Sequence, residues 1–281
     1  VPIRADRRYF TTVMFAEGFF VSDMLRGDPT SPTLDLPITV YDVTVDPSVV
    51  QIQSVLAQIA PSTEGLQVIQ IVTYRNISDR IFLSREVVDE FRQESVRLTL
   101  PQGAVIREFA DSTERYIIAE DGGSLVDTQP VFPGENHIVH VLYTLPFSGS
   151  ADIAQPLDYP LTGSFQMLVD SALRLSSSQL IARGAQTMGG ATYETYSGAL
   201  SLGTGESVRY TVSGAPASGT GTASAGGTAN NNIVLAAALF AAGAGALLAA
   251  AIIYWRGRTA PAAAGAAPAD SRQQQIDGLV Q

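Results

Sequence analysis

The chain of 281 residues has no cysteine, only two histidines and a single tryptophan, and all 17 of its basic residues are arginine. Without cysteine there are no disulfides, thiolate metal sites, Cys-x-x-Cys-His haem attachments or thiol nucleophiles. An extracytoplasmic domain built this way must be held by core burial alone, which roughly 200 residues can supply. The absence of lysine fits a GC-rich or heat-adapted source. His137 and His140 stand three apart on one expected strand, so they point to opposite faces and do not chelate one metal together. They read as solvent-facing or edge residues. Basic charge is scarce as well: 27 acidic residues leave a formal net charge of −10. All of the acidic residues except Asp270 and Asp277 precede residue 213. Such a surface disfavours nucleic acid and anionic headgroups and would attract a basic soluble carrier protein, although acidic exteriors are common among soluble domains.

The signatures of catalysis are missing too. There is no Gly-x-Ser-x-Gly; Gly149-Ser150 and Gly163-Ser164 read as turn pairs. Asp89, Glu90 and Glu94 cluster, as do Glu108, Asp111 and Glu114, without the Asp-x-Asp-x-Asp-Gly spacing of a calcium loop, and they read as solvated faces rather than metal sites. Met188-Gly189-Gly190-Ala191 lacks the lysine of a phosphate loop. Asn76-Ile77-Ser78 is a glycosylation sequon of a kind that chance readily produces. No enzyme, no cofactor and no resident metal are expected.

What the sequence does have is one long apolar run. Ile233 to Trp255 carries no charge, and about 23 residues at about 1.5 Å each cross a hydrocarbon core of about 30 Å. Asn230, Asn231 and Asn232 bound it on one side. Tyr254 and Trp255 stand at the other edge as interfacial aromatics, followed at once by Arg256 and Arg258. The nearest charge before the run is Arg209. The positive-inside rule places the C-terminus in the cytoplasm and the residues before 230 outside. A buried core helix of this length would keep a polar stripe. Alanine and glycine fill about half of the run, and Ala237, Ala241, Gly245 and Ala249 repeat every four residues as one smooth strip. Base composition of the gene accounts for this as well as a helix built to pack against partner helices. The strip favours the packing reading.

The rest reads as strands and turns. Residues 1–45 are expected to form short strands over Tyr9–Phe15 and Glu17–Val21, a loop over 27–33 and a long strand over Leu36–Val45. They read as the terminal strands of a first β-domain. Residues 46–213 alternate strands with turn clusters in the manner of an immunoglobulin-like β-sandwich. Val49–Ile59 and Leu66–Tyr74 are expected to pair across the turn at 61–65. Val96, Leu98 and Leu100 alternate with polar neighbours; so do Val139, Val141, Tyr143 and Leu145, and Val208, Tyr210 and Val212. Glu86–Glu94 is the one stretch expected as a short helix. Residues 214–232 form a Gly/Ser/Ala linker, 233–255 the transmembrane helix and 256–281 a cytoplasmic tail with a low-complexity start. An exported N-terminus normally needs a signal peptide. The signal is expected to have been removed, or the chain to begin partway into its gene product, and the tail reads as though it continued.

Four motifs occur in a telling order: Tyr74-Arg75-Asn76-Ile77-Ser78-Asp79, Leu100-Pro101-Gln102-Gly103-Ala104, Asp127-Thr128-Gln129-Pro130-Val131-Phe132-Pro133-Gly134 and Leu142-Tyr143-Thr144-Leu145-Pro146-Phe147. Together they resemble a group of uncharacterised bacterial single-pass membrane proteins. Those carry a carboxypeptidase-regulatory-like β-domain, a second β-sandwich, a Gly/Ser spacer, one helix and a short helical tail. The resemblance covers most of residues 36–213 and implies that residues 1–45 are the last strands of the first sandwich. It assigns no catalytic residue. Some proteins of this build resemble accessory subunits of quinol-oxidising complexes such as alternative complex III. The expected function is therefore a non-catalytic scaffold subunit in the cell membrane, with other integral membrane subunits and the lipid bilayer as partners. The alternative is a free-standing, membrane-tethered binding or adhesion module.

Overall fold

The alternation of apolar and polar residues decides the fold, because a strand presents successive side chains to opposite faces. The computed structural model describes residues 3–216, apart from 16–17, 29, 32, 91, 110–114 and 189. In chain order the strands begin with β1 (Arg8–Tyr9), β2 (Thr12–Phe15), β3 (Gly18–Val21), β4 (Leu25–Arg26) and β5 (Val43–Thr44). Next come β6 (Val50–Ser62), β7 (Gly65–Asn76), β8 (Ile81–Phe82), β9 (Arg97–Thr99), β10 (Val105–Phe109), β11 (Tyr116–Ile118) and β12 (Ser124–Asp127). The remaining strands are β13 (Asn136–Leu145), β14 (Ser150–Pro156), β15 (Leu161–Asp170), β16 (Leu173–Ser176), β17 (Ile181–Met188), β18 (Ala191–Ala199) and β19 (Ser207–Gly214). The described part is mostly β, and its only helical turn is a 3-10 turn at Pro47–Val49.

The largest sheet has seven strands in the order β10-β13-β7-β6-β15-β18-β17. Its neighbours run antiparallel except β6 and β15, which are parallel. Two three-stranded sheets, β11-β12-β9 and β14-β19-β16, supply the opposing layer. One core joins them: Val72, Tyr143 and Phe165 of the large sheet pack with Leu98, Leu125, Ile153 and Val208 of the small ones. The β6–β7 hairpin forms as its sequence predicts, closing on Thr63 and Glu64 with Gly65 at φ 126°. The row Val139, Val141, Tyr143 and Leu145 is buried, as are Val96, Leu98 and Leu100 and Val208, Tyr210 and Val212.

A bulge in β6 controls which residues face the core. Val50 and Ile52 are buried, then the parity switches and Val55, Ala57 and Ile59 are buried. The register shift lies between Ile52 and Ser54, so the extra residue, Gln53, absorbs the change. A matching shift between Leu161 and Ser164 sits opposite it on β15. Gly163 is therefore not in a turn. It lies within β15 against the bulge, where a Cβ would come within 1.8 Å of the Gln53 carbonyl oxygen.

Two expected elements differ. Of Leu36–Val45 only Val43–Thr44 is paired, in parallel with Ile81–Phe82. Leu34, Leu36 and Ile38 keep the half-buried alternation of a strand, but among the described residues no strand pairs with them, and Pro37 has no N–H to offer. Glu86–Glu94 is a tight loop instead of a helix. Val87 bridges Gln93, and the Asp89 carboxylate accepts the Arg92 backbone N–H, the local competition that draws aspartate out of helices. The segment before residue 46 meets the rest of the chain through aromatics: Phe20 and Tyr41 lie 6.4 Å and 6.1 Å from Phe132.

Candidate functional site

β12 ends on Asp127 and β13 begins beside His137, so the two side chains meet where the layers close at one end. His137 shares the inward parity of Val139 and Val141 and is buried, which corrects the solvent-facing reading. Its Nε2 lies 2.7 Å from Asp127 Oδ2. Arg115, just before β11, reaches the same carboxylate at 2.6 Å through Nη2 and at 3.0 Å through Nε. That Nη2 also donates to the Ile138 carbonyl at 2.9 Å, and the guanidinium lies 4.7 Å from the centre of the Tyr116 ring. Asp127 is only 1% exposed. Burial pushes its carboxyl up, but the hydrogen bonds from His137 and Arg115 outweigh burial and hold it below the usual carboxylate range. Carboxylate, imidazole and guanidinium thus satisfy one another, making an internal ion cluster that staples β12 to β13. The signal for it in the sequence was the parity of His137; nothing in the spacing named Asp127 or Arg115.

A second polar group sits nearby. Arg97 grips Glu94 with both arms of its guanidinium, and Asp158 accepts the Thr99 N–H at 2.7 Å and its hydroxyl at 2.8 Å. Burial raises the Asp158 carboxyl above its ordinary value, and burial likewise raises the Tyr159 hydroxyl. Glu94 is buried in this clamp, while Asp89 pairs with Arg92, so these two acids point to different partners. Asp111 and Glu114 of the other acidic group lie outside the described residues. Among the described residues no group of three or more His, Cys, Asp or Glu side chains is placed to hold a metal ion.

Asn76 of the sequon is buried. Its Nδ2 donates to the carbonyls of Arg80 at 2.6 Å and Val131 at 2.9 Å, and its Oδ1 accepts the Ser78 N–H at 2.9 Å. In the folded chain the motif is a turn device, with the Asn76 amide engaged on both its nitrogen and its oxygen. Asn76→Ala is expected to destabilise the protein by about 2 kcal/mol, since the carbonyls of Arg80 and Val131 each lose one of their two donors and the Ser78 N–H loses its acceptor. An unchanged urea midpoint would contradict this.

Among the described residues an open groove of about 390 Å³ is lined by Asp152, Ile153, Ser176, Arg209 and Tyr210, and another of about 410 Å³ runs along Gln51, Arg75, Ile77 and Thr162. The surface also offers an apolar face. β2 and β3 form a ribbon in which Val13 and Phe20 are opposite one another, as are Thr12 and Val21. Phe20 turns into the molecule, whereas Phe10, Met14, Val21 and Met24 are each more than half exposed. At the base of the ribbon Arg8 stands directly opposite Arg26.

The residues singled out for membrane packing, Ala237, Ala241, Gly245 and Ala249, lie outside the described residues. So do the interfacial Tyr254, Trp255, Arg256 and Arg258. Among the described residues no helix is long and apolar enough to cross a membrane.

The described chain is thus a mostly β, two-layer protein with an internal ion cluster and an exposed apolar ribbon. No family model matches it, and no curated protein matches it. Among solved structures it is similar to the M1 zinc metallopeptidase of Deinococcus radiodurans, at 13% identity and a TM-score of 0.38 over 58% of this chain. A mutant of a two-domain M1 zinc metallopeptidase bound to L-arginine matches at 13% identity and the same TM-score, over 58% of this chain. The chain spans 42% of the length of each. A likeness this slight carries no chemistry across.

Proposed function

We propose that the chain is a non-catalytic, single-pass accessory subunit of a larger bacterial membrane complex of the quinol-oxidising kind. In this reading the immunoglobulin-like sandwich stands outside the membrane and the helix over 233–255 packs among partner helices through Ala237, Ala241, Gly245 and Ala249. The observation that carries the reading is the outer face of the N-terminal ribbon. A two-stranded ribbon is marginal alone, and large apolar side chains exposed on and beside it, such as Phe10, Met14, Val21 and Met24, are what a docking surface presents. The internal ion cluster supports a structural role, since its charged groups are turned on each other.

Extraction of native membranes in mild detergent, followed by native electrophoresis and mass spectrometry, tests this. The chain should co-migrate at fixed stoichiometry with polytopic subunits. Met14→Glu with Val21→Glu should weaken the association, and so should Ala241→Ile with Gly245→Ile. Migration of the unaltered chain alone, near its 29.7 kDa plus detergent, would sink the proposal and favour the tethered binding module.

A further inference from the structure

The inward row of β7 reads Leu66, Val68, Gln70, Val72, Tyr74, so one amide stands in an otherwise apolar stripe. The facing layer has the same anomaly. On β14 the inward positions are Ile153 and Gln155. Gln70 is 2% exposed and Gln155 1%. Each amide is satisfied on one side only. Gln70 Oε1 accepts the Tyr143 hydroxyl at 2.8 Å, and Gln155 Nε2 donates to the carbonyls of Thr99 at 2.9 Å and Pro156 at 3.1 Å. Gln70 Nε2 and Gln155 Oε1 have no hydrogen-bond partner in the protein. A buried amide group left unpaired is destabilising, because it has given up its hydrogen bond to water without a replacement. Two such groups in one core therefore call for an explanation.

Both side chains line the same small cavity of about 10 Å³, walled by Val72, Leu98 and Tyr74. We propose that this cavity is a binding site for one water molecule, which accepts from Gln70 Nε2 and donates to Gln155 Oε1. The cavity volume selects the ligand, because it admits about one water-sized sphere and nothing larger. Polarity selects it too: one free amide donor and one free amide acceptor match a water, while the Asp158 carboxylate, which also lines the cavity, is already engaged by the Thr99 N–H and hydroxyl. The Tyr74 hydroxyl makes only one long hydrogen bond, 3.5 Å to the Arg97 carbonyl, which leaves it capacity as a third partner.

The assignment of the amide atoms does not decide the matter. Turning Gln70 over would place its nitrogen against Tyr143 and its oxygen in the cavity, where water would donate to both glutamines. Turning Gln155 over would aim its oxygen at two carbonyls, which chemistry forbids. The site therefore survives either orientation of Gln70. Its consequence is a polar bridge between the layers, tying β7 to β14 at one register within an apolar core.

A crystal structure of the full chain at a resolution that orders waters should show one peak at about 2.8–3.1 Å from both amides. Amides bonded directly to each other, or turned to other partners with no peak between them, would overturn the proposal. A second measurement uses Gln70→Met, Gln155→Met and the pair in the full chain, with the unfolding constant read from urea titration. The double variant should fall short of the product of the single effects by about threefold or more, because the second change removes a bridge already broken. A smaller shortfall overturns the shared water and leaves two independent amides.

Discussion

Replacing Asp127 with alanine should destabilise the protein by about 3–5 kcal/mol, the usual consequence of removing one member of a buried, hydrogen-bonded ion cluster. The change strands two groups that Asp127 now satisfies, the His137 ring at 2.7 Å and the Arg115 guanidinium at 2.6 Å. It also withdraws the acceptor of the Gln129 backbone N–H. Asp127→Asn keeps the shape but halves the capacity to accept charged donors, and should lie between wild type and alanine. The only tryptophan, Trp255, lies outside the described residues. Unfolding is therefore best followed by the near-ultraviolet circular dichroism of the buried tyrosines, among them Tyr74, Tyr143 and Tyr210. A midpoint for Asp127→Ala within error of wild type would refute the staple.

The same carboxylate predicts the acid limit of the fold. Its folded value lies below the ordinary one of about 3.9, so its contribution is complete above that value and is lost as pH falls through the folded one. Asp158 works in the opposite sense. Burial raises it, so its penalty is constant above its folded value and is relieved as pH falls through that value to the ordinary one, where protonation removes an unfavourable buried charge. Stability should then fall below about pH 4 in wild type, with a visibly shallower fall in Asp127→Asn. Equal slopes for the two proteins would count against the assignment.

Gly163→Ala should be nearly as damaging, at about 3 kcal/mol, because the added methyl meets backbone and not a side chain that can swing away. Its Cβ would lie 1.8 Å from the Gln53 carbonyl oxygen, in a strand whose register is already offset by a bulge. Relief requires β6 and β15 to separate at the centre of the seven-stranded sheet. Gly123→Ala is the control, since its nearest neighbour atom is 3.9 Å away and its effect should stay within about 0.5 kcal/mol. Similar midpoints for the two alanine variants would show that the strands accommodate the methyl freely.

Period-two patterning made most of the sandwich legible. Val139 to Leu145 and Val208 to Val212 announce their inner faces because one side of each strand meets the core and the other meets water. Leu36–Val45 carries the same alternation yet pairs only at Val43–Thr44, because alternation reports burial and not the presence of a neighbour. The β6 bulge was hidden for a related reason. Val50 to Ile59 holds two alternating runs out of phase, and only the partner strand reveals where the phase slips. Asp127, His137 and Arg115 come together from three strand ends, so no local spacing links them. Gln70 and Gln155 likewise acquire meaning only when two layers close on each other.

The parallel contact between β6 and β15 bears on how the chain comes to be folded at all. It joins strands more than a hundred residues apart, with Leu161 opposite Ile52 and Val169 opposite Ile59. During synthesis from the N-terminal end, β6, β7 and β13 can zip together while the other edge of β6 waits for residues that emerge later. For that interval the inner edge of the sheet shows a row of open N–H and C=O groups, the most aggregation-prone surface a β protein displays. A chaperone that holds the chain should act on that exposed edge and become dispensable once β15 has docked.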